Sequence, residues 1–176
     1  MDVDMEVTGA RPEGPDSRDR VLEAQGISEP STASCLLAVD VGNTVTKFGV
    51  FAADELAGTW EVTTSERCTA DEAWAQAARA IDMLGAPEPA SAILSCVVPS
   101  LAEVWRSALG KLCGARPYAV GPGLKTGIRM RYDDPSEVGS DRVADAVAAL
   151  EKFEPPIVTI DMGTATTIGV ISEGRN

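Results

Sequence analysis

Two apolar runs in this chain are interrupted in the same unusual way. AVDVGNTVTKFGV (Ala38 to Val50) and TIDMGTATTIGV (Thr159 to Val170) each place an aspartate at the end of an aliphatic run. A glycine follows two residues later, then hydroxyls, then a second apolar run. Short apolar segments on either side of a glycine read as two strands and a turn, so a sheet must run through both places. A hairpin alone would ask Gly42 and Asn43 to supply positive φ and Asp40 to bond the turn backbone. That accounts for one copy, but two copies with a strand-end carboxylate and several hydroxyls exceed what turn formation requires. The surplus suits an anion. Glycine admits main-chain N–H groups closely, Thr44, Thr46, Thr164 and Thr166 add donors, and Asp40 and Asp161 can hold a hydrated cation. Lys47 can neutralise phosphate charge, although a lone lysine there equally suits a solvated surface.

Composition removes several classes of chemistry. The 176 residues carry 27 acidic and 15 basic side chains, a net charge of -12, which disfavours nucleic acid and anionic membranes as general partners. A local anion site built from backbone dipoles survives that balance. The chain has no histidine, so a Ser-His-Asp triad, a Cys-His pair and histidine-ligated metals are excluded. Cys35, Cys68, Cys96 and Cys113 lack paired spacing and are expected to be reduced, mostly buried thiols in a cytoplasmic protein with no secretory leader. No apolar run approaches the roughly 18 residues that span a bilayer.

Along the chain, residues 1–34 are polar and Pro/Gly-rich and are expected to form a disordered acidic tail. CLLAVDV, TKFGVF and TWEVTT then read as a β-meander. Thr69 and Glu72 fit a capping box for a helix with Trp74, Ala77, Ala78, Ile81 and Leu84 on one face and Gly85 as its stop. Ser91 to Val98 reads as a buried strand, Leu101 to Leu112 as a second helix, and Pro117 to Val120 as a short strand. Val143, Ala146, Val147, Leu150 and Phe153 mark a third helix beginning near Ser140 and closed by Pro155 and Pro156. Strands alternating with helices after a meander predict an α/β fold, a mixed sheet covered by helices.

The loop from Gly121 to Gly139 is long, punctuated by Gly and Pro, and bears Tyr132 and charges of both signs. Loops of that length in compact domains are commonly functional. It runs into Gly139-Ser140-Asp141-Arg142. One reading makes Ser140 an N-cap and Asp141 a first-turn acid favoured by the helix dipole. The other makes Asp141 a base for a substrate hydroxyl, with Arg142 binding substrate or phosphate.

DVGNTVTKFGVF, SCVVPSL, VGPGLKTGIRMRYDDPSEVGSDRVADAVAAL and DMGTATTIGV, in that order, resemble the type III pantothenate kinase family. That family lies within the actin, Hsp70 and sugar-kinase superfamily, and the resemblance covers roughly Cys35 to Ile171. It implies a ribonuclease H-like (actin-like ATPase) domain with a mixed five-stranded sheet and flanking helices over 35–155. The first hairpin of a second such domain would occupy 156–176. It implies transfer of the ATP γ-phosphoryl to the hydroxyl of pantothenate, the first step of coenzyme A biosynthesis. Asp141 becomes the catalytic base, and Tyr132, Gly139, Ser140, Asp141 and Arg142 the substrate contacts. Asp40, Val41, Gly42, Asn43, Thr44, Val45, Thr46, Lys47 and Thr164 bind ATP. Mg2+ lies near Asp40, and Asp161 ligates K+ or NH4+. A homodimer is implied as well.

The chain departs from the family pattern at Ser140, where alanine is common, and at Met162, Ile168 and Gly169, where a later acid is lost. It stops early in the second domain, so the expectation is a truncated chain with little or no turnover alone. The alternative is a non-catalytic homologue that binds nucleotide or pantothenate and acts through a partner.

Overall fold

The structure, a computed structural model, describes residues 3–7, 35–52, 55–121, 124, 126, 128–131, 138–163 and 165–173. Four strands lead to the first helix: β1 (Val3–Val7), β2 (Cys35–Val41), β3 (Val45–Ala52) and β4 (Glu55–Thr63), then α1 (Ala70–Met83). β5 (Pro89–Cys96), α2 (Pro99–Cys113), β6 (Tyr118–Ala119) and β7 (Ile128–Arg131) follow, and α3 (Ser140–Lys152), β8 (Ile157–Met162) and β9 (Thr166–Glu173) complete the order.

Alternation builds the first sheet. In β2 every second residue is buried, so Cys35, Leu37, Val39 and Val41 line one face while Leu36, Ala38 and Asp40 line the other. β2, β3 and β4 form the expected antiparallel meander, and β5 and β6 add on in parallel. The result is a mixed five-stranded sheet of order β4-β3-β2-β5-β6, as expected for the α/β fold. α1 and α2 cover its apolar face, where Phe48 and Trp105 meet at 5.7 Å between ring centres, tilted at 58°.

The helix signals read from sequence act as expected. Thr69 Oγ1 accepts from the Glu72 N–H, and the Thr69 N–H donates to Glu72 Oε2 at 2.8 Å, completing the capping box. Gly85 takes φ +62° just beyond the Leu84 C-cap, the left-handed position glycine favours. The buried face of α1 is Ala73, Ala77, Ala80 and Ile81, with Trp74 at its edge. Pro99 is the first residue of α2, where its missing N–H has no intrahelical partner to lose.

A second sheet departs further from the sequence reading. Its order is β7-β1-β9-β8. Val3–Val7, expected to be tail, lies between β7 and β9, antiparallel to one and parallel to the other. Composition over 1–34 masks these five residues because polar neighbours dilute their short alternation. The rest of that tail lies outside the described residues. β7, inside the supposed loop, is likewise found only by its partner. α3 packs against β5, β8 and β9, with Val138, Val143, Ala146 and Ile171 as a small second core. Val147 and Phe153, two of the residues that mark this helix in the sequence, are exposed at 41% and 61%. β8 leaves Val158, Ile160 and Met162 open to solvent, Met162 at 82%.

Because β1 fills the edge of β9, deletion of residues 1–7 is expected to speed amide exchange across Gly169 to Glu173 and leave β2 and β5 protected. Unchanged exchange in β9, followed by mass spectrometry, contradicts the pairing.

Candidate active site

Parallel pairing of β2 with β5 sets Asp40 beside Ser95 and Val41 beside Cys96, so both strands end at one level. In open α/β sheets ligands bind beyond such carboxyl ends. Asp40 and Ser95 share the face opposite Leu37, Val39 and Leu94, and there Ser95 Oγ donates to Asp40 Oδ1 at 2.8 Å. Ser95 Oγ also meets Ser140 Oγ at 3.0 Å, and the Cys96 N–H donates to Ser140 Oγ at 2.9 Å. Ser140 is therefore not the cap of α3. Gly139 holds the N-cap position, and Ser140 is the first helical residue, its hydroxyl directed into the protein.

The first Asp-x-Gly turn closes with the Gly42 N–H donating to the Val45 carbonyl at 3.0 Å. Gly42 is required by proximity: a Cβ there would sit 2.9 Å from the Val45 oxygen. Positive φ, the conformational reason offered by a plain hairpin, is not found at Gly42. Asn43 and Thr44 are exposed, Val45 half-buried and Lys47 exposed, while the Val41 side chain lies in the core. Thr46 differs from the expectation of a ligand-facing hydroxyl. It is buried, with Oγ1 2.9 Å from Thr64 Oγ1, because alternation along β3 turns residue 46 to the same face as Phe48.

The second turn is one residue tighter than the first, with the Gly163 N–H donating to the Ala165 carbonyl at 3.3 Å; Asp161 lies opposite Thr167 where Asp40 lies opposite Lys47. Asp161 is exposed at the end of β8, and Thr166 begins β9. Thr164 and Tyr132 lie outside the described residues.

Asp141 and Arg142 open α3, both half-buried, and Asp141 Oδ1 accepts the Arg142 N–H at 2.8 Å. A Cβ at residue 139 would fall 2.3 Å from Asp141 Oδ1, so Gly139 leaves the space that this carboxylate occupies.

Asp145, one turn further along α3, was missed. The spacing from Asp141 is i, i+4, which puts both acids on one helix face, a signal available without coordinates. Asp145 is exposed to solvent, yet partial desolvation by its neighbours pushes its carboxyl up, and Asp161, Asp141 and Asp40 push in the same direction while Lys47 opposes them. These neighbours come from both hairpins and from α3. Geometry agrees: the Asp40–Ser95–Ser140 hydrogen bonds and the packing of α3 on β8 and β9 link this helix to strands of both hairpins. Among the described residues no three Asp, Glu or Cys side chains lie close enough to make a metal cage. The four cysteines are unpaired; only Cys35 is buried and the other three are half-buried. Burial raises the Cys96 thiol, which argues against a nucleophile beside the site. A shallow groove along α2, lined by Arg106, Gly110, Arg116 and Pro117, shares none of the candidate residues.

Comparison with known proteins gives the same direction. Residues 36–176 match the family model described as type III pantothenate kinase. A type III pantothenate kinase of Moorella thermoacetica is 40% identical over 141 residues, which cover 78% of this chain and 55% of that protein. The chain thus spans about half the length of the curated relative it matches.

The raised Asp145 carboxyl has a definite sign for stability. The folded state holds its proton more tightly than the unfolded state, so its contribution is greatest at acid pH and is lost as pH rises through the folded value. Asp145→Asn is expected to raise the thermal midpoint at pH 7, with the gain shrinking toward pH 4. The gain is at most about 1 kcal/mol because the side chain keeps an exposed side. A midpoint difference that does not change with pH contradicts this electrostatic account.

Proposed function

Since this chain belongs to the type III pantothenate kinase family, we propose that its site serves transfer of the ATP γ-phosphoryl to the pantothenate hydroxyl. This is the first step of coenzyme A biosynthesis. The observation that supports the reading is the hydrogen-bonded link from Asp40 through Ser95 to Ser140 at the start of α3, a helix that also packs against β8 and β9. Phosphoryl transfer depends mainly on alignment and charge neutralisation, and three elements meeting at strand ends supply a frame for both.

Asp141 takes the proton of the acceptor hydroxyl, and Arg142 offers its guanidinium to the acceptor or the transferring group. Beyond Gly42, whose own N–H is bonded to the Val45 carbonyl, the exposed turn residues Asn43 and Thr44 face the polyphosphate, and Lys47 adds a positive charge. Asp40 is the residue that would hold Mg2+. One or two carboxylates, completed by water and phosphate oxygens, suit that ion. The bound ion supplies charge stabilisation of the phosphoryl oxygens. Asp161 is the residue for K+ or NH4+, although Gly169 supplies no second acid. A cytoplasmic homodimer completes the proposal. Among the described residues no helix is long and apolar enough to cross a membrane.

A second reading, a homologue that binds ligand without turnover, finds support in Gly169, which supplies no second acid for the cation site. The two separate in one assay of phosphopantothenate formation with ATP, Mg2+ and K+. Asp141→Asn is expected to lower turnover by about 100-fold or more with Mg·ATP affinity nearly unchanged. Equal turnover in wild type and Asp141→Asn removes Asp141 from the mechanism. Binding of both ligands by a wild type that forms no product favours the second reading.

A further inference from the structure

Resting on the phosphoryl-transfer reading, we propose that Ser95 and Ser140 are positioning residues. Their hydroxyls form a proton-ordered chain that ties the first turn of α3 to Asp40 and presents its carboxylate to the divalent cation of a nucleotide. The order follows from counting protons. Ser95 has one, and it goes to Asp40 Oδ1 at 2.8 Å. The 3.0 Å contact between Ser95 and Ser140 therefore runs from Ser140, which has no other proton to give. Ser140 in turn accepts the Cys96 N–H at 2.9 Å. The direction is Cys96 N–H to Ser140, Ser140 to Ser95, Ser95 to Asp40.

Ser95 and Ser140 are 7% and 8% exposed, so each bond acts where water competes poorly, and each donor polarises the next. The links join residues 55 and 45 positions apart in sequence, on β2, β5 and α3. Holding one carboxylate oxygen from behind orients the other for a cation, as hydrogen-bonded partners orient metal ligands elsewhere. The same Ser140 hydroxyl pins the helix turn that carries Asp141. Cation side and acceptor side thus move as one unit. An alanine at either position would break the chain, and at 140 it would also strip the Cys96 N–H of its acceptor.

The test is a cycle of Ser95→Ala, Ser140→Ala and the double variant, with Ser95→Thr restoring a hydroxyl, in the full chain. Calorimetric titration with Mg·ATP is the main readout, with thermal unfolding and amide exchange at Cys96 beside it. Each alanine is expected to weaken Mg·ATP about threefold to tenfold. The double variant is expected within about twofold of the weaker single, because a chain broken once has little more to lose. Ser95→Thr should bind within about twofold of wild type, and Cys96 exchange should rise in Ser140→Ala. Additive losses, unchanged affinity in folded variants, or unaltered Cys96 exchange overturn the assignment. Ser140→Ala, at a helical position that accepts alanine, carries the readout if Ser95→Ala does not fold. A wild type that fails to bind Mg·ATP overturns the phosphoryl-transfer reading and this assignment together, whereas wild-type binding with unaffected variants overturns this assignment alone.

Discussion

The hydrogen bond from Ser95 to Asp40 is the contact on which the rest of the site depends. It forms because β2 and β5 run parallel in a register that sets these residues side by side on the face α1 and α2 do not cover. A carboxylate turned toward the protein without that donor would be costly. With it, the carboxylate can stand at the end of a central strand, one oxygen satisfied and the other available. Two features adjoin that fixed point: the Gly42 turn that follows β2, and the first turn of α3, linked to it through Ser140 and Ser95.

Asp161, Asp141 and Asp40 each push the Asp145 carboxyl up, a like-charge effect that a cation arriving near them would relieve. The chain as a whole is already strongly acidic, so the local excess gains nothing from its surroundings. Lys47 opposes it only in part, as its effect on Asp145 indicates. In the proposed reading a metal-nucleotide complex supplies that cation, and relief of the repulsion on Asp145 would couple occupancy with alignment. Binding and catalysis would then draw on the same charges.

Much of the frame was legible in the sequence. The capping box at Thr69, the stop at Gly85 and the alternation of β2 report local physics, which short windows capture well. Both Asp-x-Gly turns were found because their chemistry repeats. What escaped depends on distant partners. Val3–Val7 and Ile128–Arg131 are strands only because they pair with each other and with β9, and no local pattern announces that. Thr46 read as a donor until alternation from Phe48 put it inside. Ser140 read as a cap, its sequence neighbours giving no hint of Ser95, 45 positions away. Asp145 was available at i, i+4 from Asp141, but its meaning required the two hairpins to be in place.

Paramagnetic relaxation tests the central claim most directly, because one Mn2+·ATP complex must lie near all three elements at once. In the isotope-labelled chain, a single low occupancy of Mn2+·ATP should broaden the amides of Gly42 to Thr44, Gly163 and Ala165, and Ser140 to Asp145 together. Broadening confined to the first hairpin, with the second hairpin and the start of α3 untouched, would contradict a shared site.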